Sequence, residues 1–313
     1  MTGSRDDLRL EGGRARSAAP RFSVITSSYN QAEFLEETLR SVREQGRSDV
    51  EHLVLDGGST DGSVDVLRAH DDTLAYWRSE RDAGQPSAWN DGVRRSRGSI
   101  LAFLNSDDVF KAGALSEMAR LADAHPDADW LIGGTQYFGE GSRDLSYAGR
   151  APRRASDVLY FATYAPQPGQ CFRRDLVERV GPFDETLHFA FDLDFFVRCA
   201  LAGARPVRTE RIVAGFRFHG ASKTVTQDDI QQSETRAVEA RYWPEVERRE
   251  GWRARRARDV YHGSFALGNA RQRIANGQQA EALRAIGAAV AEYPRVVSTR
   301  AFAGTVQRLL GWR

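Results

Sequence analysis

Acidic and small polar residues recur in the first 108 positions, each time directly after a short apolar run. The four segments are Ser27-Ser28-Tyr29-Asn30, Asp56-Gly57-Gly58-Ser59-Thr60-Asp61-Gly62-Ser63, Glu80-Arg81-Asp82-Ala83-Gly84 and Asn105-Ser106-Asp107-Asp108. Any one of them fits a helix cap or a turn, because Asp, Asn and Ser cap helices and Gly makes turns. Four such segments together favour a binding site for a polar ligand.

Asp107 and Asp108 are adjacent carboxylates. Their charges repel unless a cation lies between them and another ligand, and Mg²⁺ is commonly held by one or two carboxylates plus substrate phosphates. The pair therefore predicts a metal-bound diphosphate whose charge, as a leaving group, the metal offsets. The sequence has neither a G-x-x-x-x-G-K-[ST] loop nor a glycine-rich dinucleotide fingerprint after the first strand, so these ways of holding phosphates are excluded.

Strands alternating with helices must position these segments. Apolar, β-branched runs predict strands at 22–26, 51–55, 74–77 and 99–104, with helices after Asn30, from Ser63 and from Ser87. This alternation predicts an α/β fold with a mostly parallel, Rossmann-like sheet flanked by helices. The four polar segments then meet at the strand-end edge, where ligands bind.

The alternation loosens after about residue 110. The pattern there predicts helices at 115–125 and 192–202, strands at 129–133, 167–172 and 211–218, and a loop or hairpin at 139–155. From Gln227 onward we expect only helices, so 226–313 is predicted to be an α-helical C-terminal extension. In its last helix Phe302, Val306, Leu309 and Leu310 share one face. Packing onto the domain explains this stripe, and a peripheral membrane contact is the alternative.

Composition narrows the functional class. The 313 residues are 41% hydrophobic, and 44 basic against 43 acidic side chains give a net charge of +1, which argues against a nucleic-acid binder. Two cysteines make no disulfide framework, which favours a reducing compartment. Residues 1–20 carry charges throughout and are predicted to be a disordered arm, not a signal peptide. We expect a cytoplasmic protein, or one peripheral at the inner face of the membrane.

The motifs resemble those of family 2 inverting glycosyltransferases, which have the GT-A fold. The resemblance runs from about Phe22 to Lys223. It comprises the four segments above together with Ala88-Trp89-Asn90-Asp91-Gly92, Gly181-Pro182-Phe183-Asp184-Glu185 and Phe191-Asp192-Leu193-Asp194-Phe195-Phe196-Val197-Arg198. It implies a GT-A domain over 21–225, with a nucleotide-binding half at 21–110 and an acceptor half at 111–225.

The resemblance also implies residue roles on the donor side. Ser27 and Tyr29 would line the nucleotide pocket, with Tyr29 against the base. Asp56 would contact the nucleoside, and Asp82 would lie near the ribose or the sugar. The expected donor is a UDP-, dTDP- or GDP-sugar.

The same resemblance implies a metal site and a catalytic base. Asp107-Asp108 matches the family's metal-binding acidic motif. Asp108 is the expected direct ligand of Mn²⁺ or Mg²⁺, and Asp107 is expected to contact the nucleotide sugar. His219 lies where many GT-A enzymes have a late metal or phosphate ligand, although a structural histidine is an equal alternative. Asp192 matches the catalytic base.

Three positions depart from the family pattern. Gly57 replaces an acid, which removes one contact to the nucleobase, and Asn105 begins the acidic motif without a leading acid. Phe191 stands where relatives often have Glu before the base, and an apolar neighbour is expected to raise the pKa of Asp192 by desolvation. Asp194 competes with Asp192 as the base.

The expected reaction is metal-dependent transfer of a sugar to an acceptor hydroxyl with inversion. The sequence lacks the Gln-x-x-Arg-Trp element and the membrane spans of processive synthases, so we predict transfer of a single sugar in bacterial glycan or glycoconjugate biosynthesis. The acceptor would be a glycan, a lipid-linked molecule or a small molecule. The alternatives are a sugar-phosphate nucleotidylyltransferase and a non-catalytic nucleotide-sugar-binding scaffold.

Overall fold

The structure is a computed structural model that describes residues 10–13, 19–140, 145–148, 150–160, 166–220, 222–223 and 228–310. The strands are β1 (Leu10–Gly12), β2 (Phe22–Ser28), β3 (Val50–Asp56), β4 (Tyr76–Ser79), β5 (Ile100–Asn105), β6 (Val109–Phe110), β7 (Trp130–Gly139), β8 (Ser146–Tyr147), β9 (Gln170–Arg173) and β10 (Pro206–Phe218). The helices are α1 (Ala32–Arg43), α2 (Ser63–Ala69), α3 (Gln85–Arg95), α4 (Ala114–Ala124), α5 (Ala155–Leu159), α6 (Arg174–Val180), α7 (Phe191–Leu201), α8 (Asp228–Glu250), α9 (Trp252–Ala275), α10 (Gln279–Glu292) and α11 (Arg300–Leu309). Short 3₁₀ segments span Gln167–Gly169 and Pro294–Ser298.

The strands form one mixed sheet in the order β1-β4-β3-β2-β5-β9-β7-β10-β6, with β8 paired to β7. Strands β4, β3, β2 and β5 are mutually parallel, as are β7 and β10. Strand β9 runs antiparallel to both of its neighbours, β5 and β7, and joins the two parallel groups. The carboxyl ends of β3, β2 and β5 are therefore adjacent, as the sequence predicted.

The structure agrees with the predicted alternation and differs from it at the sheet edges. Leu10–Gly12, inside the predicted disordered arm, is a strand that pairs antiparallel with Trp77–Ser79 of β4. Three residues carry too little periodicity to be recognised alone, and pairing with a neighbouring edge orders them. Residues 1–9 and 14–18 of the arm lie outside the described residues. Pairing across the sheet also creates the two-residue strands β6 and β8.

The central strands are apolar because helices cover both faces of the sheet. One buried cluster contains Val24, Leu104 and Leu115, and a second contains Leu35, Val54 and Leu67. Helices α1 and α4 contribute apolar side chains at helical spacing to these clusters. Burial on both faces holds the strand ends at fixed positions, which a binding site requires.

Aromatic rings pack beneath α7, the helix that carries Asp192. The Trp89 ring of α3 lies 5.2 Å from the Phe191 ring and 5.2 Å from the Phe183 ring. The Phe183 ring is in turn 4.4 Å from Phe195. Edge-on and tilted aromatic contacts are directional as well as apolar. They fix the start of α7 against α3.

The chain divides into two compact units. The first comprises residues 1–151 and 163–238, and the second comprises 152–162 and 239–313. The division falls after Val238, inside α8, whereas we predicted a boundary at 225/226. Glu234 belongs to the first unit because its carboxylate binds the backbone just before α7.

The second unit has its own small core. Leu267 and Ala270 of α9, Ile286 and Ala289 of α10, and Val296 are buried together. Phe302 and Leu309 of α11 pack against this cluster, so part of the stripe predicted for the last helix is used in packing, whereas Leu310 is exposed. Nowhere in the described ranges is there a helix long and apolar enough to span a membrane.

Gly92 is the position where α3 lies closest to the sheet. A Cβ atom there would be 2.3 Å from Ile25 Cγ2 and 3.0 Å from Leu55 Cδ2. Because both neighbours are core side chains, Gly92→Ala should lower the free energy of unfolding by about 1–3 kcal/mol, as overpacking does. Urea unfolding measures the change.

Gly287→Ala is the matched control. It lies in α10, where an added Cβ meets nothing within 4 Å, and should raise stability by about 0.5–1 kcal/mol. An unchanged unfolding midpoint for Gly92→Ala would contradict the packing described here.

Candidate functional site

Asp56 organises the loop that follows β3. Its side chain is fully buried, and Oδ2 accepts hydrogen bonds from Gly58 N at 3.1 Å, Ser59 N at 2.9 Å and Ser79 Oγ at 2.6 Å. Oδ1 accepts from Ser59 Oγ at 2.5 Å. Both oxygens are thus engaged by protein groups. Asp56 shapes the loop next to the predicted nucleoside position, and a direct contact to a nucleoside stays a prediction.

Tyr29, Gly57 and Asp82 lie together at this edge. A Cβ at Gly57 would be 3.4 Å from Tyr29 Cδ2 and 3.3 Å from Asp82 Oδ1. The Tyr29 side chain is 62% exposed, so its ring can stack on a ligand. Ser27 is partly buried and is paired between Leu55 and Asn105 on the neighbouring strands. The missing side chain at Gly57 leaves a gap between an aromatic ring and a carboxylate.

Arg78 supplies the positive charge for this acidic edge. It is 3% exposed, and its guanidinium lies 2.8 Å from Asp91, 3.3 Å from Glu80 and 3.7 Å from Asp82. Asp82 Oδ1 also accepts from Gly84 N at 2.9 Å. Burial nevertheless raises the pKa of Asp82. Nothing in the local pattern indicated Arg78, because a single Arg in a four-residue strand resembles an ordinary edge residue.

The two members of the acidic pair have different environments. Asp108 is 1% exposed; its Oδ1 accepts from Arg217 N at 2.9 Å and its Oδ2 from Asn105 Nδ2 at 3.0 Å. Burial, and secondly the charge of Asp107, raise the pKa of Asp108 well above its ordinary value. We expected Asp108 to be the direct metal ligand. The structure instead encloses its carboxylate in protein hydrogen bonds.

Asp107 is the carboxylate that lies beside His219. Its Oδ2 is 3.0 Å from His219 Nε2, and both side chains keep some exposure, 19% and 10%. The His219 ring packs 4.5 Å from the Phe34 ring. His219 therefore lies beside the acidic motif and contacts Asp107, and its role as a metal ligand stays a prediction.

Arg217 holds the acidic segment in place. Its Nε donates to Asp107 O at 2.9 Å, and its Nη2 pairs with Glu37 at 2.5 Å. Its guanidinium stacks 4.4 Å from the centre of the Phe138 ring and 4.9 Å from that of Phe34. Nothing in the local pattern indicated Arg217, which lies near the end of β10, two residues before His219.

A chain of hydrogen bonds links Lys223 to the acidic motif. Lys223 Nζ donates to Gln85 Oε1 at 3.2 Å, Gln85 Nε2 donates to Asn105 Oδ1 at 2.6 Å, and Asn105 Nδ2 donates to Asp108. Asn105, the departure from the family's leading acid, can both accept and donate, which a carboxylate cannot. Lys223 also lies within electrostatic reach of Asp107 and other carboxylates.

Asp192 lies in the first turn of α7 and is partly buried. Its Oδ1 accepts from Leu193 N at 2.7 Å. Burial raises the pKa of Asp192 to about 6, in the direction predicted from Phe191. A carboxylate with this pKa is ionised at neutral pH yet basic enough to accept a proton.

Asp194 has a structural partner. Its Oδ2 lies 2.8 Å from Arg198 Nε, and the same arginine donates to the carbonyls of Val180 and Pro182. Arg198 and Asp194 thus form an i,i+4 ion pair within α7. Since Asp194 is 1% exposed and paired, the geometry favours Asp192 over Asp194 as the base.

Asp107 and His219 are a donor set that suits a divalent cation, one carboxylate and one imidazole at contact distance. No cluster of three or more His, Cys, Asp or Glu side chains suited to a metal occurs in the described part of the chain. Two protein ligands fit a metal whose other ligands come from substrate phosphates.

Comparison of the amino-acid sequence with known proteins identifies its family. A model of the family described as Glycosyl transferase family 2 fits residues 23–181. An uncharacterised glycosyltransferase of Mycobacterium tuberculosis is 32% identical over 208 residues, 65% of this chain and 78% of the relative. The chain belongs to glycosyltransferase family 2. This family 2 enzyme is also 29% identical over 224 residues to a PGL/p-HBAD biosynthesis glycosyltransferase of Mycobacterium bovis, which covers 68% of the chain and 83% of that relative.

Solved structures show the fold. TarS of S. aureus superposes with a TM-score of 0.60 at 19% identity, over 78% of this chain and 43% of TarS. TarS 1–349 in complex with UDP-GlcNAc gives 0.59 at 17% identity, over 92% and 81%. The mannosyltransferase PcManGT of Pyrobaculum calidifontis, with GDP-Man and Mn²⁺, gives 0.51 at 21%, over 95% and 81%. These structures confirm the predicted GT-A fold of the family 2 enzyme. The family model and the relatives confirm the predicted glycosyltransferase class. The nucleotidylyltransferase and scaffold alternatives are set aside.

The pKa of Asp192 predicts how stability depends on pH. A folded-state pKa of about 6 against the ordinary 3.8 means that the folded enzyme holds a proton the unfolded chain has lost. Wild-type stability is therefore lost as pH rises from about 4 to 6. Asp192→Asn should escape this loss and gain on the order of 1–3 kcal/mol relative to wild type between pH 4 and pH 7.

Asp194→Asn is the control for this measurement. It leaves Arg198 without its carboxylate and should be less stable than wild type at pH 7. Urea unfolding at several pH values tests both variants. Identical pH dependence of wild type and Asp192→Asn would show that the Asp192 pKa is not raised.

Proposed function

We propose that this family 2 enzyme is a metal-dependent inverting glycosyltransferase. It would transfer a single sugar from a nucleoside diphosphate sugar to an acceptor hydroxyl. One observation carries the proposal: a single face of α3 contacts both the acidic motif and the start of α7, which holds the proposed base. Gln85 in its first turn bonds to Asn105 of the acidic motif, and Trp89, one turn later, packs on Phe191 beside Asp192.

Within this proposal, Asp107 and His219 hold Mn²⁺ or Mg²⁺, and Asp108 supports Asp107 from the interior. The metal, when bound, offsets negative charge on the diphosphate as it departs. Lys223, held by Gln85, adds a cationic group on the same side. Tyr29 would stack on the base, while Ser27 and Asp82 would line the nucleoside and sugar positions.

Asp192 would accept the proton of the acceptor hydroxyl as its oxygen attacks the anomeric carbon. The nucleoside diphosphate leaves from the opposite face, so the configuration inverts. Asp194 is held by Arg198, so Asp192 is the acid of α7 that would act as the base. A single base and an oriented acceptor are what such a displacement requires.

The donor class is proposed from the site and supported by the neighbours. TarS has been solved with UDP and UDP-GlcNAc, and PcManGT with GDP-Man and Mn²⁺. We propose a UDP-, dTDP- or GDP-sugar for this enzyme. Glycan, lipid-linked and small-molecule acceptors all present the hydroxyl that the mechanism needs.

The metal assignment predicts a contrast between adjacent aspartates. Asp107→Asn and His219→Ala should each weaken Mn²⁺-dependent binding of UDP or GDP at least tenfold, because each removes a ligand. Asp108→Asn should lower the melting temperature but keep the Mn²⁺ dependence. Isothermal calorimetry with and without Mn²⁺ makes the comparison. Loss of the Mn²⁺ dependence only in Asp108→Asn would restore Asp108 as the ligand.

The base assignment predicts separate effects on binding and turnover. Asp192→Asn should bind the nucleoside diphosphate like wild type and release it from a nucleotide sugar at least 10²-fold more slowly. The wild-type rate should fall below about pH 6, where Asp192 becomes protonated. Nucleoside diphosphate release, followed for several nucleotide sugars, is the assay. Wild-type turnover by Asp192→Asn would refute the base assignment.

A further inference from the structure

Helix α7 begins without a cap of its own. Ala190 stands at its N-cap position and has no side-chain oxygen. The first backbone N–H groups of a helix have no intrahelical acceptor, and Ser, Thr, Asp or Asn normally supplies one. Ala190 is buried, so water is a poor substitute. Within the first turn, Leu193 N donates to Asp192 Oδ1, whereas the backbone that leads into the helix needs an acceptor from elsewhere in the chain.

Glu234 of α8 accepts hydrogen bonds from the three residues that lead into α7. Its Oε1 accepts from His188 N at 2.8 Å, and its Oε2 accepts from Phe189 N at 2.7 Å and from Ala190 N at 2.9 Å. These are charge-assisted bonds to three successive residues, and they come from more than 40 positions along the chain. They determine where α7 starts and how its first turn, which contains Asp192, is oriented.

The geometry requires a glutamate specifically. Both oxygens accept hydrogen bonds, whereas glutamine has one acceptor oxygen and an NH₂ group that would face a backbone donor. Aspartate is one methylene shorter and cannot hold the same span from the same helix. The three hydrogen bonds are therefore matched to the carboxylate of Glu234. This residue lies outside residues 23–181, which the family model matches.

We propose that Glu234 is a positioning residue for the catalytic base, acting through the backbone of 188–190 on the orientation of α7. The inference rests on the proposed role of Asp192. It assigns a task in catalysis to the first turns of the helical extension. The donor-side residues Tyr29, Asp107 and His219 lie on other elements, so loss of Glu234 should affect turnover and leave donor binding intact.

The test compares Glu234→Gln with Glu245→Gln in the full chain. Glu245 is on the same helix and pairs only with Arg248 and Arg249 among the described contacts, so it is a matched surface control. Glu234→Gln should lower kcat for nucleoside diphosphate release at least tenfold. Its Mn²⁺-dependent affinity for UDP or GDP should stay within twofold of wild type. Glu245→Gln should match wild type in both.

Hydrogen exchange supplies a readout independent of activity. The amides of 188–190 should exchange faster in Glu234→Gln than in wild type, while those of β5 should be unchanged. Unchanged exchange, or a wild-type kcat, would overturn the proposal. Equal losses in kcat and nucleotide affinity would also overturn it, because they would place the effect on the donor site. A wild-type enzyme that releases no nucleotide from any nucleotide sugar would instead contradict the proposed function.

Discussion

A carboxylate that is removed from water must accept hydrogen bonds from the protein. Two such carboxylates, Asp56 and Asp108, lie at the strand-end edge of the sheet. Asp56 at the end of β3 draws in the backbone of the following loop and Ser79 of β4. Asp108, just after β5, draws in Asn105 and the backbone of Arg217 on β10. Each buried acid ties neighbouring elements together, because leaving its charge unpaired would cost several kcal/mol. The strand-end edge is shaped by these demands before any ligand binds.

The same demand separates the roles of adjacent residues. Satisfying Asp108 inward leaves Asp107 beside His219, where a cation fits. Asp192 and Asp194 divide in the same way: Arg198 satisfies the more buried Asp194, while Asp192 retains a pKa raised by burial. In each pair one acid is held by protein groups, and the proposed function gives the chemical role to the other. One face of helix α3 then joins the two pairs, because Gln85 bonds to the acidic motif and Trp89, one turn later, packs on Phe191.

Much of the fold could be read from short-range pattern. Apolar runs located β2, β3 and β5 to within two residues at each end, since both faces of these strands are covered. The strands β1, β6 and β8 could not be found this way, because two or three residues show no periodicity and their pairing depends on distant neighbours. For the site, the pattern indicated which segments carry chemistry. It could not show which member of Asp107-Asp108 turns inward, because adjacent aspartates carry the same local pattern.

By itself, the sequence determined the α/β class, the four polar segments at strand ends, the family resemblance and the helical extension. All of these depend on local composition and spacing, which the chain carries wherever it folds. Only the tertiary structure decided that Asp108 is enclosed, that Asp107 meets His219, that Arg198 pairs with Asp194 and that Glu234 binds the backbone leading into α7. Most of these contacts join residues tens of positions apart. Burial and partner choice there are properties of the packed whole, since a buried polar group takes whichever donor the fold brings within reach.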